Sequence, residues 1–276
     1  MGVLSAGLLG GLLLLVIHLL RENAPSHVFG LVQRLCTTAP HVVMDLASLV
    51  LALVPAVVFG VLLVAAVATW RRTSLLVDCM LADRLDELPP SVSAAARDIG
   101  LPASRVVVFQ CPELVVFAHG CFRRSVLIST SVLDELSAEE LRAVLAHEAE
   151  HVRQWDPLRR WVTEVLARGM FLFPVVSDLR DHFVLTSEIE ADEAAIRATS
   201  REALAGAIVK FVDAPQITSV AAITSGLDAG ERIAHLVQPD RPWPRLRASR
   251  TSLMLSVGNA VLLTGLAVLL SVLPSM

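Results

Sequence analysis

Ser137-Ala138-Glu139-Glu140-Leu141-Arg142-Ala143-Val144-Leu145-Ala146-His147-Glu148-Ala149-Glu150-His151 is the stretch from which the rest of the chain can be read. It opens on a capping-box pattern, with Ser137 as N-cap and Glu140 at N3. The helix so started runs to about Trp155, where Asp156-Pro157 ends it, because a position before proline disfavours helical backbone. Leu141, Val144 and Leu145 give that helix an apolar face. His147 and His151, four places apart, lie one above the other, so both imidazoles reach a single ion. Glu148 is displaced around the helix, yet near enough to polarise a zinc-bound water without becoming a ligand. The bland alternative is a surface helix that carries two histidines by chance; the defined start and the apolar face argue against it.

A catalytic zinc needs a third protein ligand and an open position. Ser187-Glu188-Ile189-Glu190-Ala191-Asp192 offers one on a second helical stretch. Glu188 and Asp192 share a face, whereas Glu190 points roughly the other way. Glu188 is therefore expected to bind zinc, one ion per chain, while Asp192 accepts a hydrogen bond from a ligand imidazole and fixes its tautomer. Taken alone, the stretch would read as a solvated acidic face; beside His147 and His151 the ligand reading prevails.

Composition sets where this site sits. Of 276 residues, 54% are hydrophobic and only 18% charged, against about a quarter charged in an ordinary soluble domain. Mean hydropathy is +0.64. The excess apolar content points to a lipid bilayer as partner. A net charge of −4 and a pI near 6.1 supply no basic field, so no nucleic-acid partner is expected. Three stretches are long and apolar enough to span a bilayer: Val3 to Leu20, Leu46 to Thr69 and Leu253 to Leu273. The first lacks the basic flank and small-residue site of a cleaved signal peptide. Arg71 and Arg72 follow the second span, and Arg241, Arg245, Arg247 and Arg250 precede the third. The positive-inside rule then puts the intervening region in the cytoplasm of an integral membrane protein, with a bacterial-type plasma membrane expected.

The organisation expected is two transmembrane helices with a short outer loop (1–72), a zinc-site domain (73–251) and a C-terminal transmembrane helix (252–276). Within the middle region, helix continues through Glu87 and stops at Pro89-Pro90; a short helix follows, closed by Gly100 as a left-handed cap. Three β-branched runs (Arg105 to Phe109, Leu114 to Ala118, Ser125 to Ser129) predict a small antiparallel sheet. Trp161 to Ser177 reads either as a fourth span or as a helix half-embedded beside the bilayer; Glu164 and Arg168 favour the latter. Cys36, Cys79, Cys111 and Cys121 lack metal or redox spacing and read as reduced thiols, although Cys111 and Cys121 flank a possible hairpin.

These residues resemble the BlaR/MecR-type membrane peptidases and the related HtpX and CAAX-prenyl-protease group, all gluzincins. The likeness covers roughly Val106 to Leu236. Val115-Val116-Phe117-Ala118-His119-Gly120 is similar to the family's strand ending in F-A-x-G, and Val126-Leu127-Ile128-Ser129 to its next strand. Glu140 to Ala146 looks like the family's lead into HExxH, and Asp156 matches the acidic residue that follows it. Glu188-Ile189-Glu190-Ala191-Asp192 matches E-x-x-A-D, whose first glutamate the resemblance makes the third zinc ligand. Glu231-Arg232-Ile233 resembles a weaker late element, which makes Arg232 a candidate substrate or oxyanion contact. No penicillin-binding domain follows the third span, so no β-lactam sensor in cis is expected.

The fold class expected is mainly α with a small antiparallel sheet: transmembrane helices plus a gluzincin-like HExxH metallopeptidase domain. The function expected is zinc-dependent hydrolysis of a peptide bond in a protein or peptide substrate laid along the strand Leu114 to Ala118. A catalytically silent membrane scaffold is the competing reading, against which the intact Glu148 argues. A transporter is a third, disfavoured by spans without intramembrane charge pairs.

Overall fold

The computed structural model describes residues 40–214, 229–238, 242–246 and 248–272. The expected first span, Val3 to Leu20, lies outside them. Helix α1 (Pro40–Ala82) runs unbroken through positions 55 and 60. At 1.5 Å per residue its 43 residues extend about 65 Å, roughly twice the hydrocarbon thickness of a bilayer. Among the described residues, its segment Ala56–Ala82 is long and apolar enough to cross a membrane, and Phe59, Val64 and Leu75 on it are exposed. The last helix, α9 (Arg250–Val272), covers all but the final residue of the third expected span.

Leu62–Leu253 forms one compact unit. After α1 come α2 (Pro90–Asp98), a 3-10 turn (Ala103–Arg105), β1 (Val106–Phe109), β2 (Val116–His119), β3 (Ser125–Ser129) and α3 (Thr130–Glu135). Then follow α4 (Ala138–Gln154), α5 (Asp156–Gly169), α6 (Val175–Ala198), α7 (Arg201–Asp213) and α8 (Ala229–Val237). Several local signals act as the sequence implies. Ser137 accepts from the Glu140 N–H while the Glu140 carboxylate accepts from the Ser137 N–H, closing the capping box of α4. Gly100 sits at φ 71° past the end of α2. Its N–H bonds the Arg97 carbonyl and the Leu101 N–H bonds that of Ala96, the paired closure of a Schellman motif.

The sheet differs from expectation. Its order is β1-β3-β2, with β2 antiparallel to β3 but β1 parallel to it, so the sheet is mixed rather than antiparallel. The cause lies in β3. Val126 and Ile128 pack on one face with Val106, Val116, α2 and α4. Leu127 packs on the other with Phe109, Phe117 and Val77 of α1. A strand apolar on both faces takes the centre, which forces the β1–β2 connection to pass from one edge to the other. That crossing is pinned at Ser129, whose hydroxyl accepts from the Val115 N–H and donates to the Glu113 carbonyl.

Two further boundaries differ. Helix α1 stops at Ala82, short of Glu87, because the next residues serve the sheet: Leu85 N–H donates to the Val108 carbonyl and Gln110 N–H to that of Asp83. That contact caps the outer edge of β1, and among the described residues no strand pairs beyond β2. The stretch Trp161 to Ser177 is broken by a turn between Gly169 and Val175, so it forms the end of α5 and the start of α6 rather than one spanning helix. Trp161 packs edge-to-face on Trp70 of α1, and a Cβ at Gly169 would stand 2.1 Å from Leu62. Helix α5 is thereby seated against α1.

Candidate metal centre

Helices α4 and α6 approach closely because their facing positions are small. Ala143 and Ala146 of α4 and Ala195 of α6 share a buried cluster with Ala203, Leu204 and Leu236, and Ala191 is fully buried. This closeness brings the two motif-bearing helices together. His147 and His151 reach Glu188, and their ligand atoms all lie within 4.8 Å of one another. The Nε2 atoms of His147 and His151 are 3.2 Å apart. The Glu188 oxygens stand 3.5 Å from His147 Nε2 and 3.4 Å from His151 Nε2. All three residues are buried. Glu190 is exposed, on the opposite side of α6.

The other ring nitrogens face carboxylates. His151 Nδ1 is 2.8 Å from Asp156 Oδ2. His147 Nδ1 is 2.9 Å from Asp192 Oδ1, off the line of the ring N–H and so a close polar contact rather than an aligned bond. With Nδ1 facing a carboxylate on each ring, deprotonation at Nε2 turns both Nε2 lone pairs toward the Glu188 carboxylate, which Arg160 and Arg232 hold from its other side. Such a convergence of acceptors in a buried site fits a cation, and the two-imidazole, one-carboxylate set suits zinc.

The same carboxylates show in the proton affinities. Burial alone would lower the His147 pKa, but Asp192 and Glu188 push it up to about 9. His151 follows in the same direction: burial opposes its charge, and Asp156 and Glu188 outweigh burial. Burial likewise favours a neutral Glu188, but the imidazoles and Arg232 hold its carboxyl well below the usual range.

Asp156 is the residue whose role the sequence left unassigned. It lies beyond the end of α4 and reaches back because Trp155 adopts the left-handed region at φ 63°. A non-glycine residue there is held by its surroundings: the Arg124 guanidinium lies 3.5 Å from the Trp155 ring centroid and also donates to the Val152 carbonyl. Two other contacts escape the motifs altogether. The Glu148 carboxylate accepts from the Ala118 N–H of β2 at 2.7 Å. Arg160 of α5 donates to Ser187 Oγ at 3.1 Å and to Glu188.

Arg232, on α8, lies against the carboxylates of α6. Its Nε and Nη2 bond Asp192 at 2.9 and 2.7 Å, and Nη1 is 2.9 Å from Glu188. Burial works against its charge, but Asp192 and Glu188 hold the guanidinium protonated. The three ligand candidates, Glu148, Arg160 and Arg232 line a cleft of about 710 Å³ to which β2, α1, α5 and α7 also contribute residues.

A helix-borne HExxH pair completed by a glutamate from a second helix is the ligand arrangement of metallopeptidases of the gluzincin kind. The family described as BlaR1 peptidase M56 matches residues 26–234, and the chain belongs to it. Protease HtpX of Shewanella halifaxensis is 29% identical over 109 residues, 38% of either chain. A Protease HtpX homolog of Neisseria meningitidis serogroup B is 37% identical over 97 residues, 32% of this chain and 33% of the relative. The chain thus spans little more than a third of the length of these curated relatives.

Proposed function

We propose that the chain is an integral-membrane zinc endopeptidase that cuts a regulatory or membrane-associated protein at the cytoplasmic face. The observation that carries this is the buried His147-His151-Glu188 donor set, open on one side to a cleft that Glu148 also lines. Zinc held there would supply a Lewis acid, making an attacking water acidic near neutral pH and polarising the scissile carbonyl. The chain's own groups do the rest. Asp156 and Asp192 fix the imidazoles so that both Nε2 atoms face inward. Glu148 removes the water proton and returns it to the leaving amine. The β2 edge, beyond which no strand is paired among the described residues, is suited to an antiparallel peptide added as a further strand. Its Ala118 N–H, bonded to Glu148 in the free protein, holds the base at that edge.

Membrane insertion rests on the apolar helix within α1 and on the expected spans at either end of the chain. The cytoplasmic orientation rests on Arg71 and Arg72 and on the arginines before α9. The test is Glu148→Gln in the full chain. It should keep zinc and fold while abolishing cleavage of casein, since only the base is lost. Wild-type turnover in that variant would remove Glu148 from the mechanism, and a zinc-loaded wild-type protein without any proteolysis would favour the silent-scaffold reading.

A further inference from the structure

The wall of the cleft formed by α1 and α5 carries three buried polar atoms without a partner: Arg160 Nε, Trp161 Nε1 and Thr69 Oγ1. Each residue lines the cleft. Buried polar groups left unpaired beside a cleft call for a functional explanation. Arg160 stands at the metal end of this wall. Only its Nη2 is engaged, by Ser187 Oγ and Glu188. Its Nε, which is buried, and its Nη1 make no hydrogen bond among the described residues, and the side chain is 29% exposed. Arg232 offers a contrast, because all three of its nitrogens are committed to Asp192 and Glu188.

We propose that Arg160, not Arg232, is the side chain that donates to the oxyanion developing on the scissile carbonyl. The two guanidiniums divide the work by position. Arg232 is the more enclosed and binds together the carboxylates of α6. Arg160 is tethered through one nitrogen to a ligand carboxylate, so its Nη1 donor is held next to the ligand set before substrate arrives. Glu148 is anchored to β2 and Arg160 reaches from α5 to Ser187 and Glu188 of α6, so base and donor approach the ligand set from different elements. The charge balance is simple. The carbonyl carbon gains the water oxygen, the π electrons move onto the carbonyl oxygen, and that oxygen accepts the Arg160 N–H. Collapse of the adduct returns the electrons and expels the amine, protonated by Glu148.

This inference rests on the peptidase reading, and the experiment separates the two. Wild type, Arg160→Gln and Arg160→Lys are compared as zinc-loaded full chains. The measurements are zinc content, kcat and KM on casein, and calorimetric affinity for two probes: acetohydroxamate, which binds the metal, and N-phosphoryl-leucyl-tryptophan, whose phosphoryl oxygens mimic the oxyanion. Losing one oxyanion donor costs about 10²–10³ in kcat. Arg160→Gln should lose that much in kcat and a comparable factor in affinity for the phosphoryl dipeptide. Its KM, zinc content and acetohydroxamate affinity should hold, and Arg160→Lys should recover part of the loss. Unchanged kcat and phosphoryl affinity would overturn the assignment. Parallel loss of zinc and of acetohydroxamate would overturn it too, because Arg160 would then only position Glu188. A wild-type protein that holds zinc yet neither cleaves casein nor binds the phosphoryl dipeptide would defeat the peptidase reading itself.

Discussion

Replacing Asp156 isolates a carboxylate that is not itself in the His147-His151-Glu188 donor set and still should govern the metal through His151. Its side chain is 2% exposed, and Oδ2 accepts from His151 Nδ1 at 2.8 Å. It also opens α5, where a negative charge contributes about 0.3–1 kcal/mol against the helix dipole. Asp156→Ala leaves the buried Nδ1–H of His151 without its acceptor, a loss of about 1–3 kcal/mol. The two effects sum to roughly 1–4 kcal/mol in the metal-free protein, and each kcal/mol lowers the melting temperature by about 2–4 °C for a domain of this size. The imidazole also loses the partner that fixes its tautomer, so zinc affinity should fall by about 10–100-fold. Asp156→Asn keeps an acceptor oxygen and loses only charge, so it should sit between wild type and alanine on both measures. Chelator competition reads the affinity, and thermal unfolding of the metal-free protein reads the stability. Alanine and wild-type proteins that match in both would refute the role given to this residue.

The remaining predictions concern the same cluster. His147, pushed up to about 9 in the metal-free protein, must shed its proton before it can ligate, and His151 is raised in the same direction, so apparent zinc affinity should rise by at least about tenfold per pH unit up to about pH 9 and then level off. Its raised pKa stabilises the metal-free fold fully below the ordinary value of about 6.5 and loses that contribution as pH rises through about 9; pH-resolved melting with and without zinc checks both. On α6, Glu188→Ala should remove most zinc affinity and all activity, and Asp192→Ala should weaken binding by roughly 10–100-fold. Glu190→Ala should change little, and metal analysis that ranks Glu190 above Glu188 would reverse the register.

What the sequence makes legible is what local periodicity writes. The capping box, the left-handed Gly100, the shared face of Glu188 and Asp192 and the opposed Glu190 all follow from backbone spacing within one helix or turn. The strand order does not, because it depends on which run is buried on both faces, and that is decided by the helices packed above and below β3. The end of α1 at Ala82 is set by hydrogen bonds to β1, a partner more than twenty residues away (Gln110 to Asp83). Asp156 stood in plain view at its motif position; its reach back to His151 needs the left-handed turn at Trp155, which no glycine announces. Arg160 carries no sequence signal, since its partners Ser187 and Glu188 belong to another helix.

The central claim is that His147, His151 and Glu188 hold one zinc ion, and metal analysis of the purified full chain tests it most directly. Wild-type protein should carry about one zinc per chain, and His147→Ala, His151→Ala and Glu188→Ala should each lose most of it. Zinc content unchanged across all three variants, or no stoichiometric metal in the wild type, would contradict the account.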